Sequence, residues 1–287
     1  MSNGVTNKTA RRTWATLEPL HGLVYFSPET DELYGALGLD HFRSGYFASR
    51  SAALGPTSPE VVIATFFNFE PGLVRRHLDG VWDRTTPEAV VAARFQVIDR
   101  ALRRALGDSV GGPAMVEAAT LARRAAEQAS EDLVGRPLFA GHASLPWPDD
   151  AHLVLWHAQT LLREHRGDGH VAALLSEGLD GVGALVSHAA TGDVPASVLR
   201  TSRGWDQDAW STAMGDLRAR GLLTGDPDPT FTAEGAAHRK RIEDRTDANA
   251  APAYSGIGEH GCERLRELGR PMAKAALSAY VLPTEFI

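Results

Sequence analysis

Residues 206–246 read DQDAWSTAMGDLRARGLLTGDPDPTFTAEGAAHRKRIEDRT, and this stretch decides the fold of the second half of the chain. Apolar residues around Trp210 recur every three or four positions, which predicts an amphipathic helix over 206–220. The segment 224–232 then has glycine, aspartate and proline between β-branched ends, a pattern typical of a short hairpin. A charged helix is expected over 233–246. A helix, a two-stranded hairpin and a closing helix form the second half of a winged helix.

Two shorter stretches upstream complete this unit. Residues 182–191 and 195–201 each have apolar residues at helical spacing, and glycine and proline separate them. Three helices, a small wing and a closing helix are the layout of a winged-helix module. We therefore expect a winged-helix-like domain over residues 181–250.

The rest of the chain is also predicted to be helical. Prolines that follow serine or threonine open several helices, and glycines end them. The expected helices cover residues 9–27, 29–38, 59–68, 86–106, 113–131 and 149–166. We expect a loop over 135–148, which contains three prolines, and a break between two helices at Gly167-Asp168-Gly169.

The predicted fold class is all-α. No run of five or more residues alternates between apolar and polar as a strand does. The chain is therefore expected to have a multi-helix domain over residues 1–180, which binds a ligand, and the winged-helix-like unit with its small two-stranded wing. Apolar residues from Leu265 to Leu277 need a partner surface. We expect the segment 251–287 to pack back on the helical domain.

Composition excludes several classes of protein. The chain has 287 residues, of which 43% are apolar and 23% are charged, as in ordinary globular proteins. Its single cysteine, Cys262, excludes an intramolecular disulfide framework and a cysteine-rich metal site. The polar N-terminus has no secretory signal, and no stretch approaches about 18 consecutive apolar residues. We expect a cytoplasmic protein with no membrane partner.

The charge of the winged-helix-like domain argues against DNA binding. Residues 181–246 contain eight arginines and lysines and nine acidic residues, and the formal net charge of the whole chain is −7. Asp206 and Asp208 lie in the first turn of the helix that contacts bases in such modules, and Asp226 and Asp228 lie at the wing tip. DNA affinity depends on the neutralisation of phosphates by arginine and lysine. We therefore do not expect specific DNA as a partner.

The segment 217–247 resembles the end of the winged helix in MarR-type regulators. In that family a Gly-Leu pair follows the recognition helix, and an L-T-x-x-G motif precedes the last helix. The matching residues here are Gly221-Leu222-Leu223 and Phe231-Thr232-Ala233-Glu234-Gly235. The resemblance implies a winged helix at this position.

The whole chain resembles the SalK-like proteins of actinobacteria, a family of helix-turn-helix type. The residues that carry this resemblance are GYFASRSAALGP (45–56), ATFFNF (64–69), LREHRGDGHVAAL (162–174) and RGWDQDAW (203–210). The resemblance implies little about chemistry. Some members are associated with natural-product gene clusters, which points to specialised metabolism by association alone.

The string REHRGDGH (163–170) is the sharpest chemical pattern in the chain. Two glycines let the backbone turn sharply at the expected helix break, and free N–H groups at the next helix start can hold an anion. We interpret His165, Asp168 and His170 as candidate acid–base catalysts and Arg166 as a ligand-binding residue. The alternative is a helix C-cap with solvated charges. A metal site is not expected, because the spacing matches no standard zinc pattern.

A second cluster of polar and aromatic residues lies in the first 70 residues. His21 and Tyr25 are four positions apart, so they share one helix face. Aromatic side chains with a few polar groups typically line small-molecule pockets. The candidate ligand-binding residues are His21, Tyr25, His41, Tyr46, Arg50, Phe67 and Asn68. The alternative is a core in which these polar groups are merely satisfied.

Two functions fit these features. The first is a small-molecule-binding helical protein that acts as a cofactor-independent enzyme of specialised metabolism, with His, Arg and Asp as acid–base or anion-binding groups. The alternative is a ligand-responsive MarR-like transcription regulator that uses the same pocket as a sensor. A structural protein with no pocket is a third hypothesis. The sequence identifies no cofactor, and the expected partners are a small-molecule ligand and a second copy of the chain in a homodimer.

Overall fold

The computed structural model describes residues 4–40 and 43–281, which are almost entirely helical. The helices of the first half are α1 (Asn7–Gly22), α2 (Glu29–Gly35), α3 (Ser44–Ser51), α4 (Pro59–Phe66), α5 (Pro71–Leu78), α6 (Val81–Arg84), α7 (Pro87–Leu106) and α8 (Pro113–Ala129). Those of the second half are α9 (Pro137–Ala143), α10 (Ala151–Ser176), α11 (Gly181–Ala189), α12 (Ala196–Ser202), α13 (Gln207–Ala219), α14 (Ala233–Ala250) and α15 (Gly258–Ser278). None of the described helices is long and apolar enough to cross a membrane.

The wing consists of two short strands, β1 (Leu223–Thr224) and β2 (Thr230–Phe231). They pair antiparallel, with Leu223 opposite Phe231. This hairpin is the single sheet within the described ranges. The all-α fold class with a small two-stranded wing, predicted from the sequence, is confirmed.

Local sequence explains where many helices begin and end. Thr86, Asp206 and Thr232 each precede a helix, and the side chain of each accepts a hydrogen bond from a backbone N–H three residues later. Pro87 occupies the first position of α7, where a missing N–H costs nothing. Gly107 follows its last residue with a φ of 53°, a left-handed conformation that favours glycine.

The larger core lies among α1, α7, α8, α10 and α15. Ala118, Ala122 and Ala125 of α8 are buried, and their small side chains let α8 approach α10 closely. On the other side, α15 packs against α1. A Cβ added at Gly269 of α15 would lie 2.3 Å from the side chain of Leu17, so the contact requires glycine. The division of the chain into 1–180, 181–250 and 251–287 stays a prediction.

A smaller core holds α11, α12, α13, the wing and α14 together. Val186, Trp210 and Ile242 are among its buried residues. The base of the wing lies directly on α14, because a Cβ added at Gly235 would be 1.8 Å from the Leu222 carbonyl oxygen. This contact explains why glycine is needed at the position that resembles the L-T-x-x-G motif.

The helix α10 runs through both cores. Trp156 and Leu162 belong to the larger core, whereas Ala173 and Leu174 belong to the smaller one. The helix has 26 residues and no interruption. It is the element that joins the two halves of the molecule.

The expected break at Gly167-Asp168-Gly169 is wrong, because α10 continues through all three residues. The reason is a tertiary contact. Arg136 lies across Gly169, where an added Cβ would be 2.8 Å from Nη1, and the same Nη1 donates to the His165 carbonyl at 2.6 Å. The second glycine therefore makes room for a guanidinium and does not turn the chain.

One further expectation needs correction, and the sequence did not predict α5. Residues 135–148 are not wholly a loop, because Pro137 opens α9 where its missing N–H is tolerated. The stretch after residue 70 contains α5, whose first turn is capped by the Glu70 carboxylate. That side chain accepts from the N–H groups of Gly72 and Leu73, both at 2.6 Å. Short helices with few apolar repeats escape periodicity arguments.

Candidate functional site

A cavity of about 510 Å³ is lined by α1, α2, α3 and the turn that joins α12 to α13. We call it the aromatic cavity. Its aromatic walls include Tyr25, Tyr34, Tyr46, Phe47 and Phe69. The charged side chains that line it are Glu18, Arg43, Arg163 and Arg203. Its volume is in the range of small-molecule sites.

A second cavity of about 450 Å³ lies where α10, α11 and α14 meet. We call it the interface cavity, because residues from around both cores line it. The two cavities share five wall residues, which are Glu18, Tyr46, Phe69, Arg163 and Arg203. A ligand in either cavity therefore contacts side chains that also form the other.

A buried ion-pair cluster forms part of these walls. Arg50 Nε and Nη2 donate to the two Glu164 carboxylate oxygens at 3.2 and 3.0 Å. Arg163 Nη1 donates to Glu164 at 2.8 Å, and Arg163 Nε donates to Glu18 at 2.9 Å. Burial alone raises the pKa of Glu164, but the charges of Arg50 and Arg163 hold that pKa well below its ordinary value. Glu164 is thus a permanently ionised residue inside the protein.

His21 lies behind Tyr25 and does not line either cavity. Its Nδ1 is 3.1 Å from the Thr160 hydroxyl, and its Nε2 is 3.3 Å from the Tyr25 hydroxyl. Burial lowers the pKa of His21 well below the ordinary value, and the charges of Arg163 and Arg94 lower it further. His21 is therefore a neutral residue that positions Tyr25, which does line the aromatic cavity.

Tyr46 stands on the wall common to both cavities. Its ring centroid is 5.1 Å from that of Tyr25, and Arg50 Nη1 donates to its hydroxyl at 3.4 Å. Burial raises the pKa of Tyr46, but the positive charges of Arg50, Arg203 and Arg163 outweigh burial, so the pKa is lowered. The electrostatic potential at the Tyr46 hydroxyl is therefore positive.

Arg166 and His170 line the interface cavity and connect α10 to α14. Arg166 Nη1 is 2.8 Å from a carboxylate oxygen of Asp247. His170 Nδ1 is 2.9 Å from the Thr246 hydroxyl. Burial lowers the pKa of His170 to about 4. Both residues are thus used to hold two helices together.

Asp168 also lines the interface cavity. Its carboxylate accepts from the backbone N–H of Phe139 at 2.9 Å, near the start of α9. Burial raises the pKa of Asp168 to about 6, against the effect of the Phe139 hydrogen bond. The pKa of this carboxyl group therefore lies close to physiological pH.

His165 lines neither of these two cavities. Its ring packs edge-on against Phe139 with the centroids 5.0 Å apart. Burial lowers its pKa to about 4, and Arg136 lowers it further. On a continuous helix, residues five positions apart point about 140° away from each other, so His165 and His170 face different surroundings. The catalytic role of His165, Asp168 and His170 stays a prediction.

Phe67 and Asn68 line the interface cavity from the end of α4. Phe67 has a φ of 63°, which is rare for a residue other than glycine. Its carbonyl lies against α11, because a Cβ added at Gly181 would be 2.3 Å from the Phe67 oxygen. Close packing against α11 therefore holds Phe67 in a strained conformation. His41 lies outside the described residues.

The turn between α12 and α13 is tied to the same loop. The Trp205 indole N–H donates to the Asn68 carbonyl at 2.9 Å. The Glu70 N–H donates to the Arg203 carbonyl, also at 2.9 Å. Two hydrogen bonds thus fix this turn to the wall of both cavities.

Six charged residues dominate the site, and sequence reasoning gave none of them a role, although Arg163 and Glu164 begin the REHRGDGH string. These residues are Glu18, Arg43, Arg94, Arg163, Glu164 and Arg203. A weak signal existed for Arg163 and Glu164, since they follow Leu161 and Leu162 on a helix whose faces are both apolar. No local signal marks Arg203, whose position depends on the packing of the turn.

One group of three side chains within the described ranges is close enough to hold a metal ion, namely Asp99, Asp150 and His152. Arg103 already donates to the two carboxylates, at 2.8 and 3.3 Å. His152 Nε2 is 2.6 Å from an Asp99 oxygen. The negative charge of the two carboxylates is therefore partly offset by one arginine.

The comparison with known families gives one match. A family model described as a helix-turn-helix family matches residues 10–283. No curated protein and no solved structure matches the chain. The expectation that specific DNA is not a partner is therefore wrong, because a helix-turn-helix family over nearly the whole chain indicates DNA binding. The finer resemblances to SalK-like and MarR-type proteins stay predictions.

Proposed function

Since the chain belongs to a helix-turn-helix family, we propose that it is a DNA-binding transcription regulator whose affinity for DNA responds to a small molecule. The family match over residues 10–283 is the observation that carries this proposal. In it, α12 and α13 are the helix-turn-helix, and α13 is the recognition helix that enters the major groove.

The surface of α13 is suited to this role. Trp210, Met214 and Leu217 are buried and fix the helix on the smaller core. On the opposite face Gln207 and Ser211 are exposed. Amide and hydroxyl side chains can donate to and accept from base edges in the major groove. The helix thus combines a rigid attachment with an exposed polar face near its N-terminus, where Gln207 Nε2 donates to the Ser211 hydroxyl at 3.2 Å.

The acidic residues of this region are less unfavourable for DNA than their number indicates. The Asp206 carboxylate accepts from the Ala209 N–H at 2.7 Å, so it is used as the N-cap of α13. Arg218 donates to the Gly225 carbonyl and lies 3.7 Å from Asp226 at the wing. A charge count treats the carboxylates of Asp206 and Asp226 as free, whereas the fold engages these two.

The position of the aromatic cavity supports a response to a ligand. The turn between α12 and α13 supplies Ser202 and Arg203 to its wall. A ligand in the cavity therefore contacts the residues that set the position of the recognition helix. The hypothesis of an enzyme has less support, because His165, one of the three proposed catalytic groups, lines neither cavity and points about 140° away from His170 on α10.

The DNA-binding part of the proposal is tested by selection from random duplex DNA with the full chain. The expected result is the enrichment of one sequence motif over rounds carried out without protein. The selected duplex is then titrated by fluorescence anisotropy with the Ser211→Asp variant, which places a negative charge on the face proposed to contact bases. We expect this variant to bind at least about tenfold more weakly, since it repels the DNA and loses a base contact.

The matched control is Thr120→Asp, an exposed position on α8, which carries the same charge change far from α13. We expect it to bind the selected duplex as the wild-type chain does. No enriched motif, or equal binding by the Ser211→Asp variant, would overturn the proposal.

A further inference from the structure

Arg203 has an unusual environment for a cation. It lies in the turn between α12 and α13, and no carboxylate within the described part of the chain pairs with it. Its Nη1 donates to the Ser202 hydroxyl at 3.0 Å, and its Nε has no partner. Its guanidinium lies 4.8 Å from the centre of the Phe69 ring. Burial lowers the pKa of Arg203, and the charges of Arg50, Arg163 and Arg43 add to this effect.

Arg43 is the second cation of the aromatic cavity that has no carboxylate partner in the described ranges. Its Nη1 donates to the Ser202 carbonyl at 3.3 Å. By contrast, Arg50 and Arg163 are neutralised by Glu164 and Glu18. The wall of the cavity therefore carries an excess of two positive charges.

A third unpaired arginine lies directly behind this wall. Arg94 is 2% exposed, and its Nη2 donates to the Tyr25 hydroxyl at 3.0 Å. Its Nε and Nη1 have no hydrogen-bond partner among residues 4–40 and 43–281. A buried charge without a counter-ion is costly, and a bound anion is the simplest compensation. The Tyr25 hydroxyl is thus polarised by a cation on the side opposite the cavity.

We propose that the aromatic cavity binds a planar aromatic carboxylate, whose anionic group pairs with Arg203 and Arg43 and whose ring packs among Tyr25, Tyr46 and Phe69. Arginine and carboxylate form charge-assisted hydrogen bonds in a fixed planar geometry. The aromatic side chains match a flat apolar body, and the volume of about 510 Å³ admits one or two fused rings.

The same ligand regulates the helix-turn-helix, and this part of the inference rests on the proposed function. Arg203 is four residues before Gln207, the first residue of α13. Its carbonyl accepts from the Glu70 N–H, while its side chain lines the cavity. A carboxylate that pairs with this guanidinium therefore binds directly to a residue of the turn. The expected effect is a change in the order and position of α13.

The ligand class is tested by calorimetry with three acids and their primary amides: benzoate and benzamide, 1-naphthoate and 1-naphthamide, indole-3-acetate and indole-3-acetamide. We expect at least one acid to bind at least about tenfold more tightly than its amide, since the amide lacks the charge. The Arg203→Gln variant should weaken that acid by about tenfold or more, whereas Arg203→Lys, which keeps the charge, should weaken it less. The control Arg123→Gln, on the exposed part of α8, should bind as the wild type does.

If none of the three acids binds, or if each acid binds no more tightly than its amide, the ligand assignment is wrong. Circular dichroism of the Arg203→Gln and Arg203→Lys variants checks that both fold. If both variants bind the acid as the wild type does, the assignment of Arg203 is wrong.

The regulatory part has a readout that needs no DNA. Hydrogen exchange of residues 203–219 is measured with and without the acid that binds best. We expect slower exchange in the wild type and no change in the Arg203→Gln variant. In a second experiment, the affinity of the wild type for the selected duplex should change by about fivefold or more when this acid is added. Binding of the acid with unchanged exchange contradicts the regulatory part. A failure to select any DNA contradicts the proposed function alone, because calorimetry and exchange still decide this inference.

Discussion

Glu164 is a single carboxylate held between two guanidiniums, with 1% of its surface exposed. Its replacement by glutamine leaves Arg50 and Arg163 buried without their shared counter-ion. We expect Glu164→Gln to lower the free energy of unfolding by about 3–5 kcal/mol, since removal of one partner leaves charges uncompensated. Urea unfolding followed by circular dichroism measures the change.

The matched control for this prediction is Glu60→Gln, which removes the exposed pair between Glu60 and Arg75. Exposed pairs contribute little, so the urea midpoint should stay where it is. A Glu164→Gln variant as stable as the wild type would show that the ion-pair cluster does not stabilise the fold.

Buried histidines set the response of stability to acid. Burial lowers the pKa of His21, His142, His157, His165 and His170, to about 3 for His142 and about 4 for the last three of these residues. The unfolded chain binds a proton at each histidine as pH falls below about 6.5, whereas the folded chain does not. Stability is therefore lost as pH falls from about 6.5 towards 4. Asp168 opposes this trend, because its raised pKa lets the folded chain bind a proton first.

The contribution of one histidine can be isolated at His157, whose Nε2 has no partner and whose ring packs against Trp147. We expect His157→Leu to reduce the dependence of unfolding free energy on pH by about 1.4 kcal/mol per pH unit between pH 5 and 6, the value for one proton. Urea unfolding at several pH values measures this slope. The control His260→Gln, at an exposed position, should leave the slope unchanged. An equal slope in wild type and His157→Leu would contradict the assignment.

At the scale of elements, the two glycines inside α10 have different reasons to be there. A Cβ at Gly167 meets nothing closer than a Glu164 oxygen at 3.6 Å, whereas a Cβ at Gly169 would be 2.8 Å from Arg136 Nη1. We expect Gly167→Ala to stabilise the protein by about 0.5–1 kcal/mol, because alanine loses less backbone entropy in a helix. Gly169→Ala should destabilise it by about 1–3 kcal/mol through overpacking.

The two variants are compared by their urea midpoints under identical conditions. Arg136 cannot simply move aside, since it also donates to the Asn249 carbonyl at 3.2 Å. If both substitutions shift the midpoint in the same direction, the tertiary explanation for the continuous helix fails.

The helices that sequence reasoning placed well are those whose ends are set by adjacent residues. The expected helix over 86–106 begins at Thr86-Pro87 and ends at Gly107, as the structure has it. Caps act over three or four residues, so the sequence contains them. The Gly167-Asp168-Gly169 segment was misjudged because Arg136, about thirty residues away, determines its conformation. Propensity is a weak guide where tertiary contacts compete with it.

The candidate site was harder to predict than the helices. Tyr25, Tyr46, Phe67 and Asn68 were identified from their residue types, and they do line cavities. The ion pair of Arg50 with Glu164 joins residues 114 positions apart, so no local pattern reveals it. The role proposed for Arg203 rests on the absence of a carboxylate partner among the residues that the structure describes, and the sequence alone cannot show such an absence.

At the scale of the whole molecule, the number of phosphates that basic side chains neutralise sets how the proposed DNA binding depends on salt, and the net charge of −7 indicates few such contacts. The basic side chains around α13 are partly engaged, since Arg220 donates to the Gly178 carbonyl and Arg200 to the Trp205 carbonyl. We expect few phosphate contacts, and a slope of log affinity against log salt no steeper than about −3 for each bound copy. Anisotropy titrations of the selected duplex between about 50 and 300 mM salt give this slope.

Substitutions in the wing test whether its negative charge weakens the proposed DNA binding. Replacement of both Asp226 and Asp228 by asparagine removes two negative charges from the exposed wing tip. We expect binding roughly 3- to 10-fold tighter at low salt, with a smaller gain at high salt. The double variant Asp83→Asn and Asp108→Asn, at two exposed positions, changes the net charge equally but lies far along the chain from the wing. Equal gains from both variants would assign the effect to total charge and not to the wing.

The 26 residues of α10 span about 39 Å and contribute buried side chains to both cores. A cut after residue 180 would strip the smaller core of Ala173 and Leu174, and a cut before residue 163 would leave the larger core without the ion pairs of Arg163 and Glu164. No position along this helix yields two self-sufficient halves. We therefore expect that recombination within α10 cannot separate the proposed DNA-binding part of the chain from the proposed ligand-binding part and leave either one folded.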